Sequence, residues 1–233
     1  MSPTNFHKQV DENMERHFDE EQKDLSKKLL HMGSLVEELI YKSVQALLNR
    51  DDTTAREVIE DDQRIDEMEL DIDEDCVRLM ALHQPTATDL RFLSVTMKIN
   101  NDLERMGDQA VNIAESAIQA NKEAALKPFE NIPEMAEAVQ KMVRSALDAF
   151  VNRDVSLARE ICDSDDIVDR HYHKIFEDLL GLMKVDTENV ARALHLLLVA
   201  RNLERIADHA TNIAEDVIYL VKGKDIRHHH SEA

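Results

Sequence analysis

Carboxylates supply most of the chemistry this sequence can do. Glu104, Asp108, Asn112 and Glu115 recur at spacings of four, four and three. On an α-helix, at ~100° per residue, they fall within about 80° of arc. Asp62, Asp66, Glu69 and Asp73, spaced four, three and four, form a second narrow stripe. Oxygen-rich, sulfur-free sets of this kind suit hard cations such as Mg²⁺, Mn²⁺, Ca²⁺ or Fe³⁺ rather than structural zinc. The plain alternative is a solvated face, since any long surface helix of an acidic protein shows such stripes. Against it, the first stripe lacks Lys or Arg at i+4, and each like-charge pair costs about a few tenths of a kcal/mol.

The stripe is also written twice. Residues Leu103 to Glu115 return as Leu203 to Glu215, giving Glu204, Asp208, Asn212 and Glu215, with the Arg retained as Arg205. Upstream, Asn49-Arg50-Asp51 matches Asn152-Arg153-Asp154, and Asp62 with Asp66 matches Asp165 with Asp169. Divergence has altered neighbouring positions, such as Gln109 to His209 and Val111 to Thr211, while the acids persist. Only a cation gives a row of unpaired carboxylates an obvious reason to survive duplication. The second copy is thinner, because Tyr172 and Phe176 replace Glu69 and Asp73. A site there holds fewer carboxylates or borrows His173 or His209, each of which also reads as a polar surface histidine.

These residues need long helices to hold them. Leu25, Leu29, Met32, Val36, Leu39, Ile40, Val44 and Leu47 keep helical spacing, as do Leu103, Met106, Ala110, Ile113 and Ala117. The carboxylate stripe lies nearly opposite the latter seam, so it is expected to face away from the bundle core. Helices are expected over about 20–50, 52–83, 86–121, 134–152, 154–183 and 187–222, with Asp51 or Asp52 capping the second. Thr86 with Asp89 forms a candidate capping box, and Gly223 a carboxy-terminal stop. The fold class is all-α: six long helices in two tandem repeated three-helix bundles with antiparallel up-down packing. Residues 1–19 are expected as a flexible or loosely helical extension, 20–126 as the first bundle, and 127–133 as a linker. The second bundle is expected over 134–223, followed by a polar tail at 224–233 that includes His228, His229 and His230.

Four Pro and four Gly in 233 residues permit such uninterrupted helices. A net charge of −20 disfavours nucleic acid and direct adsorption to anionic lipid, and no apolar run reaches membrane-spanning length. The chain is expected to be soluble and cytoplasmic, without a secretory signal. Cys76 and Cys162 read as free thiols on apolar faces. Arg105 has Asp102 and Asp108 three residues away on either side, so intrahelical ion pairing is expected; Gly107 and Ala207 share a small position suited to close helix approach. A ferritin-type di-iron site would need Glu-x-x-His pairs, and none occurs. No phosphate loop or nucleophile motif occurs either, so the residues do not support an enzyme.

The doubled Leu-Glu-Arg-(Met/Ile)-(Gly/Ala)-Asp-x-Ala-x-Asn-Ile-Ala-Glu segments, the Asp62/Asp66 pair and Asp89-Leu90-Arg91 closely resemble the PhoU family. The resemblance runs from about residue 20 to His228. It implies Glu/Asp-x-x-x-Asp motifs at Glu104/Asp108 and Glu204/Asp208, partnered by Asp62/Asp66 and Asp165/Asp169, and metal clusters on them, with Mg, Mn, Fe, Ca or Zn as candidates. It implies, further, a homodimeric cytoplasmic negative regulator of the phosphate regulon. Such a regulator links the high-affinity phosphate ABC transporter, through its ATP-binding subunit, to the PhoR sensor kinase. It would reach the membrane only through protein partners. The residues alone leave open a metal-storing or metal-dependent phosphohydrolase and a ligand-free scaffold.

Overall fold

The computed structural model describes residues 3–83, 85–126 and 131–226, with side chains from Phe18 onward. It is all-helical, and no strand occurs among the described residues. The elements are α1 (Pro3–Asn49), α2 (Asp52–Asp61), α3 (Gln63–His83), α4 (Ala87–Asn121), α5 (Asn131–Asn152), α6 (Val155–Val185) and α7 (Asn189–Lys222). α1, the α2–α3 rod and α4 make one three-helix bundle; α5, α6 and α7 make the other.

Helix ends follow local chemistry, and they repeat. Asp51 accepts from the Thr53 and Thr54 amides at 2.9 and 3.2 Å, and Asp154 from Ser156 and Leu157 at 2.9 and 3.1 Å. Each cap satisfies amides that the first turn leaves without partners. The preceding residues, Arg50 and Arg153, adopt the same left-handed turn, with φ of 55° and 51°. Gly223, with φ of 65°, closes α7 and donates to the Tyr219 carbonyl at 2.8 Å.

α1 runs from Pro3, so the stretch expected as a flexible or loosely helical extension is helical and continuous with the first rod. Three other features differ from expectation. The second rod is interrupted at Asp62, whose carbonyl accepts from Ile65 at 2.8 Å, a tightened i to i+3 turn; α6 runs unbroken past the equivalent Asp165. Thr86 donates to the Asp89 carboxylate at 2.6 Å and makes no side-chain bond to the helix backbone, so the capping box does not form. α5 starts at Asn131, which places Pro133 in its first turn, where the missing amide costs nothing. Residues 127–130 of the expected linker, and His228 to His230 of the tail, lie outside the described residues.

The apolar seams expected from the sequence are buried throughout. Leu25 to Leu47 of α1, Leu103, Met106, Ala110, Ile113 and Ala117 of α4, and Ile65, Ile72, Cys76 and Leu79 of α3 belong to one continuous core. Each buried Leu, Ile or Met stabilises the bundle by about 1.5–3 kcal/mol relative to exposure.

The bundles meet chiefly through α4 and α7, and also through α1 and α5. Asp102 meets His209 and Asn212, Lys98 meets Asp216, and Arg91 meets Leu220, so α4 and α7 run antiparallel. That register centres on Met106 and Ile206, which hold the same motif position in the two copies and are fully buried. The halves are thus arranged about a pseudo-twofold axis between the two motif helices. Phe92 of α4 also stacks on Phe150 of α5, with centroids 6.1 Å apart.

Candidate functional site

The α2–α3 rod and α4 bring the first carboxylate set together. The small residue Gly107 lets the rod approach so closely that a Cβ there would stand 2.7 Å from Asp62 Oδ1. Burial, then the charges of Asp66 and Asp108, push the Asp62 carboxyl up to about 6. Burial, then Asp73 and Asp66, raises Glu69; burial, then Asp108, raises Glu104, with Arg105 opposing. Asp62, Asp66, Glu69, Glu104 and Asp108 therefore crowd one another across the gap between the rods.

This corrects the orientation expected from the stripe. Glu104 faces the neighbouring rod, with its side chain only 15% exposed. α4 packs against α1, the α2–α3 rod and α7, so a stripe opposite one seam still meets a helix. Asn112 and Glu115 are exposed and lie away from the cluster. Nor is the stripe without cations: Arg105 reaches Asp108 at 3.0 Å and Glu104 at 3.3 Å. Asp102, expected as its partner, instead accepts from His209 Nδ1 at 2.8 Å.

The second set forms between α6 and α7. Burial, then Asp208, Asp169 and Asp166, push the Asp165 carboxyl up to about 6. Burial, then Asp208, raises Glu204, whose side chain pairs with Arg201 at 2.7 Å. Asp208 lies at the exposed rim, yet the surrounding protein still raises its carboxyl, with His209 and Arg201 opposing. Asp163, Asp166, Thr211, Asn212 and Glu215 continue the site into an open acidic groove. Glu215 is buried while Glu115 is exposed, so the two copies are not equivalent there.

Asp163, Asp166, Asn100 and Arg201 escaped the sequence reading. Asp166 was signalled only by its place beside Asp165. Tyr172, which replaces Glu69, lies under the Arg201 guanidinium, 6.0 Å from the ring centroid. Asp73 accepts from the buried Asn100 at 3.0 Å, and where Phe176 replaces Asp73 the facing position is Ala200. His209 is a junction residue between the halves, not a surface histidine. His173 is exposed and rests against Tyr172.

Asp62 Oδ1 and Glu204 Oε2 are buried without a hydrogen-bond partner, and Glu104 Oε2 is buried with only the Arg105 guanidinium beside it, at 3.3 Å and without a hydrogen bond. Buried oxygens left in this state carry a desolvation cost that a hard cation would offset. Among the described residues, no group of three or more His, Cys, Asp or Glu is placed so that it could hold a metal ion as it stands. The donor chemistry fits a hard cation, but the side chains would have to move together to ligate one. Burial pushes the Cys76 and Cys162 thiols up to about 12 and about 11, which leaves both as inert free thiols.

Known proteins share this duplicated arrangement. The PhoU domain model matches residues 29–117 and 132–217, one match in each bundle. A phosphate-specific transport system accessory protein PhoU homolog of Pseudomonas aeruginosa is 43% identical over 91% of this chain and 88% of its own length. Its counterpart in Aquifex aeolicus is 44% identical over 90% and 95%. The crystal structure of PhoU from Pseudomonas aeruginosa superposes with a TM-score of 0.86 at 42% identity, covering 89% of this chain and 100% of that one. The phosphate transport system regulatory protein PhoU from Streptococcus pneumoniae gives 0.84 at 33% identity, covering 89% and 98%. With its motif helices doubled in sequence and opposed in space, the chain belongs to the PhoU family.

Proposed function

We propose that this chain is a negative regulator of the phosphate regulon. It acts as a cytoplasmic adaptor that couples the high-affinity phosphate ABC transporter to the PhoR sensor kinase and modulates phosphate uptake. The observation that carries this reading is a rigid double bundle with a carboxylate cluster on each half, in a chain whose relatives are named transport accessory and regulatory proteins. Its role is to dock and hold, without covalent catalysis. No described helix is long and apolar enough to cross a membrane, and the net charge of −20 opposes anionic lipid. Proteins, including the transporter's ATP-binding subunit, would therefore bring it to the membrane, and a homodimer is the expected form.

Asp62, Asp66, Glu104 and Asp108 would hold a hard cation in the first half, and Asp165, Asp169, Glu204 and Asp208 in the second. Such an ion would neutralise the crowded carboxylates and clamp adjacent rods together. Asn112, Glu115, Asn212 and Glu215 lie outside these inner sets.

The test is a phosphate-starvation reporter measured in phosphate-rich medium. Deleting the gene is expected to derepress it, and unchanged output removes the regulatory reading. The oxygen-only donor sets favour a second reading, a metal-dependent phosphohydrolase. Turnover of phosphoesters or polyphosphate that disappears on combined Asp108→Ala and Asp208→Ala substitution would support that reading instead.

A further inference from the structure

The two halves diverge on the outer face of their second and third rods. On α6, Asp165, Asp169, Tyr172, Phe176 and Leu180 follow at spacings of four, three, four and four. On α7, Asp208, Glu204, Arg201, Leu198, Leu194 and Val190 follow at four, three, three, four and four in the opposite direction. The Arg201–Tyr172 contact fixes the register between these antiparallel rods. Both stripes therefore start at the acidic cluster and end in apolar side chains. Phe176, Leu180, Val190, Leu194 and Leu198 are each between 37% and 47% exposed. In the first half the positions of Tyr172, Phe176, Leu194 and Leu198 are Glu69, Asp73, Ser94 and Lys98, while those of Leu180 and Val190 are the likewise exposed Val77 and Leu90. The first copy breaks the middle of this face with polar residues where the second presents a continuous apolar strip, and exposed apolar patches mark interaction sites.

We propose that this α6–α7 face docks an amphipathic helix of a partner protein, its apolar side chains covering Phe176, Leu194 and Leu198 and its basic end lying over Asp165, Asp169 and Asp208 when these carboxylates hold no cation. The proposal rests on the adaptor reading above. Charge complementarity selects the occupant. An anionic lipid surface is repelled by the acidic end and by the net charge of −20. A second copy fits poorly: a twofold contact lays strip on strip and sets acid against either acid or apolar surface. A helix with apolar anchors and a cationic end matches both parts of the strip at once, the hydrophobic part supplying affinity and the charged part orientation.

The experiment uses the full-length protein and a fluorescent helical peptide with leucines every three to four residues and lysines clustered at one end. The control is a scrambled peptide of equal composition. Anisotropy should show the patterned peptide binding about tenfold tighter than the control, weakening as salt rises. Leu194→Glu and Phe176→Gln, both at exposed sites, should each remove that preference with circular dichroism unchanged, whereas Ser94→Glu in the first half should not. Equal binding of both peptides, or undiminished binding by both α7 and α6 variants, overturns the proposal. So does sedimentation showing a dimer that Leu194→Glu dissolves. In cells, a reporter that responds to gene deletion but not to Leu194→Glu defeats the groove and leaves the adaptor reading standing. A reporter silent to deletion defeats the adaptor reading, and the peptide measurement then decides the groove alone.

Discussion

Asp62 Oδ1 occupies the space that a side chain at Gly107 would need, 2.7 Å from where its Cβ would stand. The second half carries Ala207 at the same position opposite Asp165. Gly107→Ala should therefore keep the fold, with alanine favoured over glycine in a helix interior by about 1 kcal/mol. Asp62 must shift, however. Mn²⁺ titration by calorimetry should show affinity in the first half falling roughly tenfold, while the melting temperature holds or rises. An unchanged titration would separate Asp62 from cation binding.

The raised carboxyls make a signed prediction for pH. Asp62 and Asp165 titrate at about 6 in the folded chain, against 3.8 as the ordinary value. Between these values the folded state binds more protons than the unfolded state. Their contribution to stability is therefore fully present below pH 3.8 and is lost as pH rises through 6. In chelated protein at neutral pH, Asp62→Asn should raise stability by about 1 kcal/mol, a figure discounted because the group is only partly buried, or roughly 2–4 °C. The gain should vanish near pH 4 in thermal melts followed by circular dichroism.

Asp102 and His209 tie the two halves across the pseudo-twofold axis at 2.8 Å, with side chains only 13% and 18% exposed. A double-mutant cycle with Asp102→Ala and His209→Ala in urea unfolding should give a coupling energy of about 0.5–1.5 kcal/mol. Additive effects would show that this pair does not couple the two halves.

Asn100 is fully buried and donates to Asp73 Oδ1 at 3.0 Å and to the Glu69 carbonyl at 2.9 Å. Asp73→Phe leaves part of that amide unpaired and should cost about 1–3 kcal/mol. Adding Asn100→Ala, which reproduces the Phe176/Ala200 pairing of the second half, should recover much of the loss. Urea unfolding of the single and double variants checks this.

The fold was legible because its cues are local and repeated. Apolar residues at helical spacing identified the rods, the Asp51–Asp52 pair marked a cap, and the doubled Leu-Glu-Arg motif identified two equivalent bundles. The site was half legible. Spacing placed Glu104 with Asp108 and Asp62 with Asp66, but one-dimensional spacing cannot say which second helix a face meets, so Glu104 was assigned to solvent. The same limit sent Asp102 to Arg105, three residues along its own helix, when its partner His209 lies in the other half. The break at Asp62 left no mark either, since an aspartate tightening one turn looks like any exposed helix residue.

The account's central claim is that the duplicated carboxylates hold cations. Elemental analysis of protein purified without chelator tests it directly, comparing the unaltered chain with Asp62→Asn/Asp108→Asn and Asp165→Asn/Asp208→Asn variants whose circular dichroism is unchanged. The account predicts stoichiometric metal in the unaltered chain and a loss in each pair of substitutions. Metal-free protein, or content that neither pair changes, would contradict it.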